Sequence, residues 1–248
     1  MQEVALISGG ASGIGLETAK RLRSNNVEVW IGDVQDELGA DVSAQIGAHY
    51  VHLDVSKKED WDAAIHEINH VHGRLTKLVN NAGIAVAGDL ENETPVGFMR
   101  TIEVNLLGVF LGCQAGAKLM QASGGGAIVN VSSIFGLVGD QAALAYCASK
   151  GGVRSMTKAI ALGLAEQQSN IRVNSIHPGF AATPLVANAV GSLDEATAAA
   201  YIARTVGRTP LGLAQPEQIA GAIVFLLSDD AAHMTGSELV IDGGFTAA

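Results

Sequence analysis

Short apolar runs alternate along the chain with stretches in which apolar residues recur every three or four positions. Val4–Ser8, Val27–Asp33, Tyr50–Leu53, Leu75–Val79, Ala127–Ser132, Ile171–Ile176 and Ser237–Ile241 are predicted as strands. Most are nearly continuous in apolar residues, the pattern of strands covered on both faces. Between them lie predicted helices: Gly13–Arg23, Glu37–Ile46, Lys57–Val71, Val96–Gln121, Ala143–Glu166 and Pro216–Leu227. In Lys57–Val71, Trp61, Ala64, Ile65 and Ile68 fall on one stripe. Strands separated by helices pair in parallel through right-handed crossovers. The expected fold is therefore α/β, a doubly wound parallel sheet, and such sheets bind ligands beyond the carboxyl ends of their strands. No Pro- or Ser-rich linker and no repeat divides the chain, so residues 1–248 are read as one domain. One zone, 183–213, is Ala-rich and weakly patterned and follows a strand end, which makes it a candidate lid over a ligand.

Composition removes several classes of function. Of 248 residues, 48% are hydrophobic and 16% charged, ample for a buried core and unlike a disordered chain. The 30 glycines follow no fixed period, which excludes a collagen-like chain. A net charge of −10 repels phosphate backbones, so no nucleic-acid partner is expected. The longest uninterrupted apolar run, near Ala222–Leu227, is far short of the ~20 residues that span a bilayer, so no membrane partner is expected either. Cys113 and Cys147 form neither a CxxC nor a zinc-like spacing, which favours a reducing, cytoplasmic setting. No basic-then-apolar leader precedes the first strand-like segment, Glu3–Ser8.

Chemistry enters with Ser8-Gly9-Gly10-Ala11-Ser12-Gly13-Ile14-Gly15, placed between a predicted strand and a predicted helix. Glycines there allow a tight turn and let backbone N–H groups approach an anion at the helix N-terminus. The spacing Gly9, Gly13, Gly15 is not the general G-x-G-x-x-G, and no Gly-Lys-Ser/Thr follows, which disfavours a nucleoside-triphosphate loop. A plain structural turn remains the alternative. Asp33 ends the second predicted strand, 18 residues after Gly15. An acid there can bind a ribose 2′-hydroxyl. It would repel a 2′-phosphate by roughly 4 kcal/mol at about 4 Å and an effective dielectric of 20. Ser12, Val34 and Gln35 carry no compensating cation, so the pattern favours NAD over NADP. Capping of the next helix is the other use open to Asp33.

Tyr146 and Lys150 stand four apart in a predicted helix and share a face. An ammonium about 4 Å from a phenol could lower its pKa by about three units from 10, making tyrosine a proton carrier near neutrality. An exposed helical pair is the plain alternative.

Ser8–Gly15, Asn80-Asn81-Ala82-Gly83, Asn105, Ser133, Tyr146, Lys150 and Pro178-Gly179 stand in the order and spacing of the short-chain dehydrogenases/reductases, which the chain resembles from end to end. Ser8 replaces the family's usual Thr and keeps the hydroxyl. The resemblance implies a Rossmann-type sheet and an NAD-dependent enzyme that interconverts a neutral secondary alcohol, cyclic or hydroxysteroid-like, and its ketone. It implies that Tyr146 is the acid/base, that Lys150 lowers its pKa and binds the nicotinamide ribose, and that Ser133 donates to the substrate oxygen. Asn105 would hold a water that links Lys150 to solvent. Gly9, Ser12, Gly13, Ile14, Gly15 and Asp33 would contact the cofactor, with Asp54 and Val55 flanking the adenine. Asn81, Ala82 and Gly83 would let the backbone approach the adenosine. Pro178, Gly179, Ala181 and Thr183 would meet the nicotinamide amide, although relatives often carry a larger aliphatic residue than Ala181. A homotetramer is implied, with Val96–Gln121 and Ala143–Glu166 packing across one axis and the C-terminal strand near another.

The residues alone leave bland readings open. Ser132 competes with Ser133 as the active hydroxyl, Asn105 could mark a helix kink, and Asn80, Asn81 and Pro178-Gly179 could be turn formers. No metal set is expected: His66, His70 and His72 are read as a solvated helix face, and Cys147 as an inert buried thiol. Leu185, Val186, Val190, Tyr201, Ile202 and Val206 of the lid, with Phe135 and Leu137, suggest an apolar substrate pocket. Two rival functions fit the chain less well. A 3-oxoacyl-carrier-protein reductase draws on NADPH and an acidic carrier, which Asp33 and the −10 charge oppose. A nucleotide-sensing scaffold would not need Ser133, Tyr146 and Lys150.

Overall fold

The computed structural model describes residues 2–191 and 193–247, with the Val206 side chain outside the described set. In chain order the elements are β1 (Val4–Ser8), α1 (Gly13–Ser24), β2 (Glu28–Asp33), α2 (Asp36–Ile46), β3 (His49–His52), α3 (Lys58–His72) and β4 (Lys77–Asn80). Then come α4 (Pro95–Ile102), a π turn (Glu103–Leu107), α5 (Gly108–Ala122), β5 (Gly126–Val131) and a 3₁₀ turn (Ile134–Gly136). The chain continues through α6 (Leu144–Glu166), β6 (Ile171–Pro178), α7 (Pro184–Gly191), α8 (Glu195–Val206) and α9 (Pro216–Leu227), and closes with a second 3₁₀ turn (Asp229–Ala231) and β7 (Glu238–Ile241).

All seven strands pair in parallel in the order β3-β2-β1-β4-β5-β6-β7. The order reverses between β1 and β4, where Ser8 lies opposite Asn80. Helices leaving these two strands go to opposite faces, so their carboxyl ends open a crevice. Each face of the sheet carries its own core. Leu6, Trp61, Leu78 and Ile128 belong to one, and Ile7, Ile31, Val79 and Ile223 to the other. Adjacent residues of one strand thus feed opposite cores, which is why the strands read as unbroken apolar runs.

The run Pro95–Ala122 is long and apolar enough to cross a membrane by length and composition, but 44% of its apolar window is buried inside the protein. A Gly108-Gly112-Gly116 stripe lets it settle on Val55, Trp61 and Leu78; a Cβ at Gly112 would meet the Trp61 ring at 2.7 Å. The zone 183–213, expected to be irregular, holds two short helices. None of α7 is buried. His66 and His70 are exposed, whereas His72 is half-buried and packs edge-on against Trp30 and His49.

Candidate active site

At the carboxyl ends of β1, β2 and β4 a cleft of about 330 Å³ is lined by Gly9, Ser12, Gly13, Ile14, Asp33, Asp54, Val55, Asn81, Ala82, Gly83 and Thr183, all expected cofactor contacts. Gly15 sits beneath the loop instead: a Cβ there would come within 2.2 Å of the Gly9 carbonyl. Gly9 takes a left-handed φ of 64° and abuts the Ala82 backbone, where its own Cβ would reach 2.7 Å. The Ser8 hydroxyl accepts from Asn81 N–H (3.1 Å) and Ala82 N–H (3.2 Å), so the hydroxyl shared by Ser and Thr pins the β4 end to the β1 end. Asn81 Nδ2 returns bonds to the carbonyls of Ser8 and Gly9. The buried Asp33 carboxylate accepts from Ala11 N–H and Gln35 N–H, both at 3.1 Å. It joins the loop to the end of β2 and is not the N-cap of α2, which is Gln35. Burial of Asp54 is outweighed by hydrogen bonds from Ser56 and by the charges of Arg100 and Lys57, which hold its carboxyl below the usual range. Arg100 also lines the cleft and escaped the sequence reading, because it lies in α4, remote in sequence from the loop.

Beside this cleft lies a second cavity of about 100 Å³. Ser133, Phe135, Tyr146, Leu185, Val186, Val190 and Tyr201 line it, as expected, together with Gly179, Phe180 and Ala85–Ala87. Leu137 is not among its walls, and Ile202 faces a neighbouring groove with 46% of its surface exposed. Pro178 and Ala181 are buried and line neither cavity. No charged side chain faces the second cavity among the described residues.

The two candidate serines part here. Ser132 Oγ donates to the Lys150 carbonyl (2.9 Å), away from the cavity. Ser133 caps the 3₁₀ turn: its hydroxyl accepts from Phe135 N–H (3.2 Å), which leaves its proton for the cavity and the Tyr146 phenol. Asn105, fully buried in the π turn, accepts from Ile84 N–H (2.8 Å) and donates to the Ile84 carbonyl and to Ser149 Oγ. Its side chain thus ties the β4–α4 loop to α6. A Cβ on Gly83 would meet Asn105 Oδ1 at 3.2 Å and Lys150 Nζ at 3.6 Å, so the glycine clears the space between them.

The electrostatics of the pair differ from the sequence expectation. Lys150 is buried, donates to the Val131 carbonyl (2.8 Å) and stands 5.5 Å from the Tyr146 ring centroid. Burial pushes the phenol up to about 12, with the Ser133 hydrogen bond pulling the other way, and pushes the ammonium down to about 8. A Coulomb estimate made in the absence of structure omits desolvation, which disfavours both charged forms and here dominates. The protein alone therefore holds a neutral phenol.

A family model described as enoyl-(acyl carrier protein) reductase matches residues 9–246. The chain belongs to the short-chain dehydrogenase/reductase family. Its relatives in that family include the cyclopentanol dehydrogenase of Comamonas testosteroni, 43% identical over 99% of this chain and 97% of that one. The 3-alpha-(or 20-beta)-hydroxysteroid dehydrogenase of Mycobacterium tuberculosis is 40% identical over 99% and 90%. The NADP-dependent (R)-specific alcohol dehydrogenase of Lentilactobacillus kefiri is 38% identical over 99% and 97%. Among solved structures, gox2181 superposes with a TM-score of 0.92 at 28% identity, covering 100% of this chain and 96% of that one. Short-chain dehydrogenases/reductases use nicotinamide cofactors, and the larger cleft fits one. It carries a glycine loop too tight for side chains, backbone N–H groups at the start of α1, and a carboxylate at the end of β2.

Proposed function

We propose that the protein is an NAD(H)-dependent dehydrogenase of neutral, apolar secondary alcohols, cyclic ones included. The observation that carries this reading is the meeting of the Ser133 hydroxyl and the Tyr146 phenol on the wall of an uncharged apolar cavity next to the dinucleotide-shaped cleft. Gly9, Ser12, Gly13 and Ile14 would hold the pyrophosphate, Asp33 the adenosine ribose, Asp54 and Val55 the adenine, and Asn81 to Gly83 the adenosine's inner face. Gly179 and Thr183, which line the two cavities, would border the nicotinamide, and the bound cofactor supplies the two-electron step.

The side chains supply the rest. In oxidation Tyr146 takes the alcohol proton at its phenolate oxygen; in reduction the neutral phenol gives it back. Ser133 O–H donates to the substrate oxygen, where negative charge develops. The Lys150 ammonium, held by Val131, favours the phenolate and would reach the ribose. Asn105 braces the loop against α6 and, in this reading, also orders water toward Lys150. Helices α7 and α8, in the zone 183–213, act as the lid that excludes solvent.

NAD preference rests on Asp33, to which no cation is paired among the described residues; Arg100 binds Ser56 and Glu103 instead. By name, the Comamonas testosteroni relative acts on cyclopentanol and the Mycobacterium tuberculosis relative on hydroxysteroids, which supports the substrate class. The family model's description suggests an acyl-carrier-protein substrate. The charge of −10 opposes docking of an acidic carrier. A homotetramer in the cytoplasm completes the proposal, with exposed Phe110 of α5 and Leu162 of α6 as apolar surface for subunit contacts.

The test is reduced-nicotinamide absorbance with NAD or NADP against cyclopentanol, cyclohexanol and a hydroxysteroid, in both directions. Turnover with NAD above NADP is expected. Because the base must first lose its proton, oxidation is expected to rise with pH through the neutral range, and reduction to stay level. Silence with both cofactors would overturn the proposal.

A further inference from the structure

The next-to-last residue of β6 is one that the glycine loop, Ser133, Tyr146 and Lys150 do not account for. His177 is fully buried, and both of its ring nitrogens are engaged. Nδ1 lies 3.1 Å from the Ser133 carbonyl and Nε2 lies 2.9 Å from Ser175 Oγ. A carbonyl only accepts, so Nδ1 carries the proton and Nε2 accepts from the serine hydroxyl. Burial disfavours the imidazolium; the charged groups facing it are Lys150 and Arg154 of α6 and Glu238 of β7.

The β5–β6 ladder stops at this point. The parallel ladder between β5 and β6 runs to Ser132 N–H, which donates to the Ile176 carbonyl at 2.8 Å. Two residues further along β6, where the next ladder N–H would stand, is Pro178, which has none. The N–H missing at Pro178 would have served the Ser132 carbonyl; Ser133 lies one residue past the ladder, and its carbonyl accepts from the His177 side chain. The Ser133 carbonyl has two lone pairs. Gly136 N–H takes one at 2.9 Å and His177 takes the other. Phe135 N–H fixes the Ser133 hydroxyl oxygen from the far side.

We propose that His177 is a positioning residue for Ser133. By clamping the Ser133 carbonyl from β6, it sets where the Ser133 hydroxyl points in the second cavity. The proposal rests on the reading above, in which that hydroxyl meets the substrate oxygen. His177 touches neither substrate nor cofactor in this role.

A double-mutant cycle on the full chain tests it. Ser133→Ala, His177→Leu, their double variant and His177→Asn are compared in kcat, KM, NADH affinity by protein fluorescence, and thermal midpoint. His177→Leu is expected to lower kcat about 10- to 100-fold, the scale of a displaced catalytic group, with NADH affinity unchanged. In the Ser133→Ala background the same replacement should cost nothing further in kcat, since the group it positions is gone. His177→Asn, whose Nδ2 can stand where Nδ1 stands, should recover most of the loss. If the leucine variant fails to fold, His177→Gln takes its place, and its longer amide should fall below His177→Asn in kcat. Additive kcat losses, a loss of NADH affinity in step with kcat, or no rescue by His177→Asn would each overturn the proposal. A wild type inert with every alcohol and both cofactors would overturn the functional reading and this inference together. A wild type that turns over but gives additive losses overturns this inference alone.

Discussion

The dinucleotide cleft and the adjoining apolar cavity share a wall but are built differently. Around the cleft, side chains bind backbone: Ser8 Oγ takes two N–H groups, Asn81 Nδ2 gives to two carbonyls, and Asp33 takes the N–H groups of Ala11 and Gln35. Those groups sit at the ends of strands in the middle of the sheet, so the cleft inherits the stiffness of the fold. The cavity has one rigid side, Ser133 and Tyr146 on β5's end and α6, and one side made of α7 and α8. That second side meets the rest through apolar contacts such as Phe180 against Tyr201 and through the Arg204–Asp140 ion pair (2.8 Å). The lesson is a division of labour. Under the proposed function, cofactor recognition would be preformed by backbone geometry, whereas substrate recognition would be left to side chains on short helices whose sequence can vary without disturbing the sheet.

Perturbing one region and reading the other breaks or sharpens this comparison. The largest effect is expected from Tyr146→Phe: turnover should fall by about 10²- to 10⁴-fold, the usual range for a lost acid/base, with NADH affinity intact by fluorescence titration. Asp33→Asn should leave alcohol KM unchanged and narrow the NAD-over-NADP preference by about 100-fold, below the limit set by an unscreened charge pair at 4 Å. A matching shift in alcohol KM would show the two regions are not separable.

Lys150→Met tests the rigid side without cofactor. The folded-state pKa of Lys150, about 8, lies below its ordinary 10.5. Its contribution is therefore full above 10.5 and is lost as pH falls through 8. The variant should be more stable than wild type at pH 7 by about 3 kcal/mol, and that advantage should close by about pH 10.5, read by denaturant titration. Arg204→Ala leaves the buried Asp140 carboxylate with Ala142 N–H as a partner but no cation. It should raise alcohol KM up to about 10-fold through a loosened α8, while NADH affinity holds. Ser132→Ala should be mildest, about 1 kcal/mol of stability for one buried hydrogen bond and little change in turnover, in contrast to its neighbour Ser133.

Legibility in the sequence follows the same division. The strands and most helices came out within a few residues because the central strands are apolar on both faces; α7 and α8 were missed because their weak apolar pattern reads as irregular. The glycine loop was readable because the Ala82 backbone, 2.7 Å from where a Cβ on Gly9 would sit, and the contact beneath Gly15 leave no room for a side chain at either position. The π turn at Asn105, the Arg204–Asp140 bridge and the role of Arg100 carry no local signature, since each depends on partners tens of residues away. The choice between Ser132 and Ser133 was open for the same reason: it depends on which hydroxyl meets the Lys150 carbonyl. His177 carries no local signature either, since its partners Ser133 and Lys150 come from other elements.

By itself the sequence determined the parallel sheet, the crevice at its switch point and the residue types able to bind a dinucleotide and move a proton. These are set by periodicity and by steric limits that act within a few residues. The electrostatic state of the Tyr146–Lys150 pair was decided only in three dimensions. Charge attraction between Tyr146 and Lys150 can be guessed from a spacing of four. Desolvation depends on everything packed around them, and in the folded chain burial pushes the phenol up to about 12 and the amine down to about 8.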